Sequence, residues 1–213
     1  MSEKLYRIAR HYYRSLASKG IWIWWFGRCT AAMIRTMAFI TCPPHISLST
    51  LEDEASKYLL EALREIYRLE IYRENPRRYR SIVDVGATAG EYIVWAAYKG
   101  FRGEATSIDP HTRIKILGPG IRHTHIKRPG EEAIYRAVEK AEKPALVKID
   151  CEGCEENLDW EELLEIETTH YIVEIHSKET IKTITRASEK TKRKTEIERH
   201  PEQPVYILTL KNI

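Results

Sequence analysis

Residues 81–90 read SIVDVGATAG, in which the β-branched run Ile82, Val83 and Val85 leads into a turn bordered by Gly86 and Gly90. Such a run suits a strand buried in a parallel sheet. Over residues 92–98 the apolar spacing becomes helical, so the chain must bend sharply between strand and helix. Glycine at 86 and 90 permits that bend and lets a ligand approach the backbone, and the free N–H groups of the next helix point into the same space. Further on, strand-like and helix-like stretches alternate: 105–108, 112–117 (a short helix), 121–126, 131–142, 145–149 and 171–175. The alternation predicts an α/β fold, a Rossmann-like doubly wound sheet, mostly parallel, with a C-terminal antiparallel strand at VYILTL. Residues 1–75 read as a helical N-terminal extension and residues 76–213 as the sheet domain.

The turn also carries a ligand preference. Thr88 stands where a dinucleotide fingerprint needs glycine so that a pyrophosphate can touch the backbone, and a nucleotide-like ligand without phosphates fits better. Asp84 falls near the carboxyl end of its strand, where a carboxylate can meet an ammonium group. Asp109, in EATSIDP, closes the next strand at the distance where doubly wound folds place an acid on ribose hydroxyls. S-adenosylmethionine has both features, an amino acid end and a ribose. Its expected contacts are Asp84, Gly86, Ala87, Thr88, Gly90, Glu91, Tyr92, Asp109 and Pro110.

DVGATAGEY, SIDP, LVKIDCEGCEENL and YIVEIHS, in this order over residues 81–177, resemble the motifs of the FkbM-type methyltransferases. Two departures are visible: Asp109 stands where that family usually has Glu, and the stretch from 110 to 145 is shorter. The resemblance implies an S-adenosylmethionine-dependent O-methyltransferase acting on a sugar, a lipid-linked glycan or a small hydroxylated metabolite. An aliphatic hydroxyl, with a pKa of ~16, needs a neighbouring base as the new bond forms. Asp150, at the end of the 145–149 strand, leads the candidates, followed by His176 and Glu152. Glu152 and Glu155 read equally well as caps of the following helix.

At 213 residues the chain suffices for one sizeable core. A net charge of +3, spread over 31% charged residues of both signs, leaves no global polycation to demand nucleic acid. Lys190, Lys192, Arg193 and Lys194 form a small basic run, read as a solvated hairpin arm, and Arg77, Arg78 and Arg80 form a solvated linker. One glutamine and three asparagines among many Lys, Arg and Glu match the bias of hyperthermophiles. Cys151 and Cys154 form a CxxC, but Cys29 with Cys42 is not a second close pair. No metal is therefore expected, and both thiols are read as filling small apolar volumes, with a disulfide as the alternative in a hyperthermophile. His123 and His125 share one face of a strand without a third ligand and read as sheet-edge histidines.

Within the segment 6–41, residues 21–41, beginning IWIWWF, are the most apolar part, yet Arg28 and Arg35 interrupt them and no ~20-residue run is free of charge. The segment is read as packing on the domain or as a homo-oligomer contact, with a peripheral membrane surface as a further reading. No signal peptide is read, so the expected location is cytoplasmic. Leu51, Ala55, Leu59, Ala62, Leu63, Ile66 and Leu69 then recur at helical spacing up to Asn75-Pro76. Two other functions stand beside the O-methyltransferase. An RNA methyltransferase would use the basic run, although no Asp or Asn precedes Pro43-Pro44 as base amino-group transfer prefers. A non-catalytic cofactor-binding scaffold would use the Trp-rich extension.

Overall fold

The computed structural model describes residues 45–46, 66, 71–88, 90–110, 116–117, 120–127 and 130–212. In chain order these form β1 (His45–Ile46), β2 (Ser81–Val85), α1 (Glu91–Tyr98), β3 (Gly103–Ile108), β4 (Ile116–Leu117), β5 (Ile121–Ile126) and α2 (Glu131–Lys140). There follow β6 (Ala145–Ile149), α3 (Trp160–Glu165), β7 (Thr169–Ile175), α4 (Lys178–Lys190), β8 (Arg193–Arg199) and β9 (Tyr206–Asn212). Seven strands make one sheet in the order β5-β3-β2-β6-β7-β9-β8, while β1 and β4 form a separate antiparallel pair. From β5 to β7 all neighbours are parallel, and β9 runs antiparallel to both β7 and β8. Within the seven-stranded sheet the path runs from β2 outward through β3 to β5, then returns to β6 on the other flank. Beside β2 the winding reverses, and in doubly wound sheets that reversal opens a ligand crevice at the carboxyl ends.

Alternation along the strands divides the core in two. Val83, Val147, Val173 and Leu208 pack with Ile134 of α2, Leu163 of α3 and Ile184 of α4. Ile82, Leu146, Ile172 and Ile207 face the other way, against Ile93 and Trp95 of α1 and against Ile66, Ile71 and Tyr72. The chain on either side of residue 75 therefore contributes to one core. Asp84, Lys148 and Glu174 share the second face by the same two-residue period, and all three are buried.

Several expectations change. Ile116 and Leu117, expected at the end of a short helix, form β4 and pair with Ile46 and His45. Helix α3 has no clear periodic signal, because it is only six residues long and is started by Asp159, whose side chain accepts from the N–H groups of Glu161 and Glu162. Arg193, read as part of a solvated arm, is buried and donates to the carbonyls of Leu164, Ile166 and Thr169, where chain entering β7 leaves backbone acceptors unpaired. The three arginines of the linker are engaged in part: Arg77 donates to the Lys99 carbonyl at 2.6 Å and Arg80 pairs with Glu142. Residues 71–75 carry no helix. The helical expectations for 6–41 and for most of 51–69 lie outside the described residues, as do the self-association and membrane readings.

Candidate active site

The bend after β2 is closed by hydrogen bonds to the neighbouring strand. Gly86 N–H donates to the Ile108 carbonyl at 2.9 Å, and Thr88 N–H donates to Asp109 Oδ2 at 2.9 Å. The acid of β3 and the glycine-bordered turn of β2 thus meet, as the spacing predicted. Gly86, Thr88 and Gly90 all have positive φ, at 73°, 44° and 80°. For Gly86 a second reason for glycine emerges: an added Cβ would lie 1.6 Å from the Asp150 carbonyl oxygen. The bend is pressed onto the end of β6, and no side chain fits between them.

Under the bend lies a charged layer that the sequence reading only half anticipated. Asp84, proposed to meet a ligand's ammonium, is 0% exposed and has the Lys148 ammonium 3.4 Å from its Oδ1. Lys148 itself is 1% exposed and reaches Asp150 Oδ2 at 3.0 Å. Neither carboxylate oxygen of Asp84 accepts a hydrogen bond. Burial raises the Asp84 carboxyl to about 6, although Lys148 pulls against it. Burial also disfavours the Lys148 ammonium, but Asp150, Asp84 and Glu91 outweigh it and hold the group above the ordinary lysine range. The sequence signal for Lys148 was a lysine inside an otherwise apolar strand, ALVKI, two residues from Asp150.

Tyr72 roofs this layer. Its hydroxyl donates to Asp150 Oδ2 at 3.2 Å and lies 3.5 Å from Glu174 Oε2, with Lys148 Nζ 5.8 Å above its ring. Burial, then the charges of Asp150 and Glu174, push its phenol pKa well up, so it stays a donor. Tyr92, expected at the cofactor, is instead fully buried in the core between Tyr72 and Trp95, and its hydroxyl has no partner. Ala87 and Glu91 are buried at the bend, and Pro110 is half-buried beside Asp109.

At the ends of β6 and β7 two of the three proposed catalytic groups, His176 and Glu152, come together with Glu155, while Asp150 stays with Lys148 and Tyr72. His176 Nδ1 contacts Glu155 Oε1 at 3.0 Å, and its Nε2 lies 3.3 Å from Glu152 Oε2 and 3.9 Å from Glu174 Oε1. Burial lowers the imidazole pKa, but the Glu155 hydrogen bond and the charges of Glu152, Glu155 and Glu174 outweigh it and raise the value. His176 is therefore held toward its cationic form, which opposes a role as base. Glu152 is mostly exposed, and Asp150 is a quarter exposed. His200, between β8 and β9, was not anticipated. Its Nδ1 accepts from the N–H groups of Glu202 and Gln203, so Nε2 carries the proton and is buried without a partner.

His123 and His125 sit on edge strand β5 and share Ser107. Ile116 N–H donates to His123 Nδ1, so His123 Nε2 donates to Ser107 Oγ, whose own proton serves His125 Nδ1 at 3.0 Å. Burial, then His125, lowers the His123 pKa to about 4. Cys151 and Cys154 are disulfide-bonded, where filling volume as free thiols was expected.

The strand order and the crevice define a doubly wound, Rossmann-like α/β protein. No family model and no curated protein matches the sequence. Among solved structures the chain is similar to a candidate S-adenosylmethionine-dependent methyltransferase from Streptococcus mutans, at 12% identity and a TM-score of 0.47, over 70% of this chain and 48% of that one. It is also similar to precorrin 8W decarboxylase of Methanobacterium thermoautotrophicum (16%, TM-score 0.47, 70% and 90%). A third is the MycE methyltransferase of the mycinamycin biosynthetic pathway, solved with Mg, S-adenosylhomocysteine and mycinamycin VI (12%, TM-score 0.46, 73% and 48%). The fold class rests on the strand order and not on these pairings. No described helix is long and apolar enough to cross a membrane.

Proposed function

We propose that the chain transfers a methyl group from S-adenosylmethionine to a hydroxyl of a sugar, glycolipid or small metabolite, in keeping with the FkbM-type resemblance of residues 81–177. The observation that carries this reading is the meeting of Asp109 with the bend of β2 at the point where the winding reverses. The cofactor would be held by Asp109 and the backbone of residues 86–88 and Gly90, and when bound it supplies an electrophilic methyl group.

The chain's own part is placement and proton handling. Asp150, the accessible carboxylate of the buried layer, takes the proton of the acceptor hydroxyl as the oxygen forms its bond to carbon. Lys148 and Tyr72 both hold Asp150 Oδ2 and leave the carboxyl's other oxygen for the acceptor. His176, in its cationic form, balances Glu152, Glu155 and Glu174, and with Nδ1 held by Glu155 only its Nε2–H is left to donate to an acceptor oxygen.

Calorimetric titration with S-adenosylhomocysteine tests the reading, followed by methyl transfer to glycan and lipid extracts. Saturable one-to-one binding that weakens at least tenfold in Asp109→Ala is expected. Absence of binding by the folded wild-type chain would overturn the proposal.

A further inference from the structure

The loop leaving β6 carries two cysteines that methyl transfer does not use, beside Glu155, the carboxylate that orients His176. Cys151 Sγ, Cys154 Sγ and a Glu155 carboxylate oxygen all lie within 4.8 Å of one another. Glu152 at φ 55° and Gly153 at φ 110° turn the chain back on itself, so that the Cα atoms of 151 and 154 are 5.5 Å apart. Glu155 is 0% exposed and aims Oε2 at Cys151 Sγ, 3.6 Å away. Its direction is fixed from both sides: Gly153 N–H donates to Oε2 at 2.8 Å, and His176 Nδ1 holds Oε1 at 3.0 Å.

We propose that, once its disulfide is reduced, the chain binds one zinc ion between Cys151, Cys154 and Glu155, so that this loop is clamped by a disulfide or by a metal. Two thiolates and one carboxylate are a ligand set for borderline-soft Zn²⁺; Mg²⁺ and Ca²⁺ prefer oxygen alone. A fourth, tetrahedral position is left for water. The His176 contact plays the part that outer hydrogen bonds play around metal ligands, holding the carboxylate in one orientation. Reduction by dithiothreitol delivers two electrons and two protons to the disulfide, and the reductant leaves as its cyclic disulfide. Zinc binding then displaces both thiol protons to solvent.

The clamp matters for the crevice because the Gly86 bend rests on the other side of the same loop. A Cβ on Gly86 would meet not only the Asp150 carbonyl but also Cys151 Cα, at 2.9 Å. Either clamp would hold the surface on which the bend lies.

The test uses the full chain, reduced with dithiothreitol, freed of reductant without air, and titrated with Co²⁺ as an optical probe. One equivalent should produce thiolate-to-cobalt charge-transfer absorption and tetrahedral ligand-field bands, both abolished by added Zn²⁺. The oxidised chain should give neither. Cys154→Ser should lose about half the charge-transfer intensity, and Glu155→Gln should weaken binding at least about tenfold, since losing a ligand costs no less than losing an outer hydrogen-bond partner. Far-ultraviolet circular dichroism confirms that each variant is folded, and Cys154→Ser serves alone if Glu155→Gln is not. The double variant Cys29→Ser, Cys42→Ser should keep the full spectrum. The proposal is overturned if the reduced wild type shows no such bands, if Cys154→Ser leaves them unchanged, or if the Cys29/Cys42 variant loses them. None of these readouts needs methyl transfer, so failure here leaves the proposed function standing, and the reverse also holds.

Discussion

Replacing Lys148 by Met removes the cation that, in a buried layer, pairs with both Asp84 and Asp150. Met matches the length and volume of the side chain, so the change is electrostatic more than steric. With Lys148 1% exposed and Asp84 0% exposed, solvent cannot take over its role. Removing one member of a buried pair costs about 3–5 kcal/mol. At ~2–4 °C per kcal/mol for a domain of this size, the melting temperature should fall by roughly 6–20 °C at pH 7–8. The pH dependence has a definite sign. Asp84 titrates at about 6 when folded and at 3.8 as a free side chain, so its protonated form favours the fold below about 3.8 and that advantage is lost as pH rises through 6. Without the lysine the folded value climbs further. Lys148→Met should therefore lie closest to wild type near pH 4–5 and furthest behind above pH 7. The double variant Asp84→Asn, Lys148→Met removes the orphaned charge and should recover at least half of the loss. Thermal and urea unfolding of the three proteins from pH 4 to 8 measures all of this. A single variant within about 1 kcal/mol of wild type at pH 8, or a double variant no more stable than the single, would refute the reasoning.

Three further outcomes follow from local geometry. Gly86→Ala combines a Cβ 1.6 Å from the Asp150 carbonyl with a left-handed φ, whereas Gly153→Ala meets nothing within 4 Å and bears only the backbone penalty of ~1–2 kcal/mol. In melting and S-adenosylhomocysteine titrations the first should lose both stability and binding and the second should keep binding. His176, whose pKa is raised by its carboxylate neighbours despite burial, contributes stability fully present below about 6.5 and lost as pH rises through the folded value. Wild type should lose melting temperature as pH rises above about 6.5, and His176→Gln should flatten that slope. Arg193→Ala strands the carbonyls of Leu164, Ile166 and Thr169 and should cost about 3–5 kcal/mol in urea unfolding. Arg193→Lys should recover less than half, because a single ammonium cannot reach all three.

The strands legible in advance were those buried on both faces or evenly alternating. β5 and β6 have the expected bounds, and β3 and β7 each begin two residues earlier than expected. Helix α3 and strand β4 were missed because six residues and two residues are too few to show a period. At the site, the sequence pointed to Asp109 and the glycine bend, whose partnership depends on a spacing that the βαβ unit imposes. Lys148, Tyr72 and His200 were not foreseen, since nothing in a one-dimensional pattern says which charge lies above which.

By itself, then, the chain's order of apolar periods and glycines determined the winding of the sheet and the position of the crevice, because local periodicity and the right-handed crossover leave few other arrangements. Only the tertiary structure decided how the charges inside the crevice are paired. Asp84 and Lys148 are 64 residues apart in sequence and opposite one another in register, and Tyr72 reaches Asp150 across 78 residues. Those pairings depend on parallel strands being laid side by side, and desolvation acts on a group only once neighbours have closed over it.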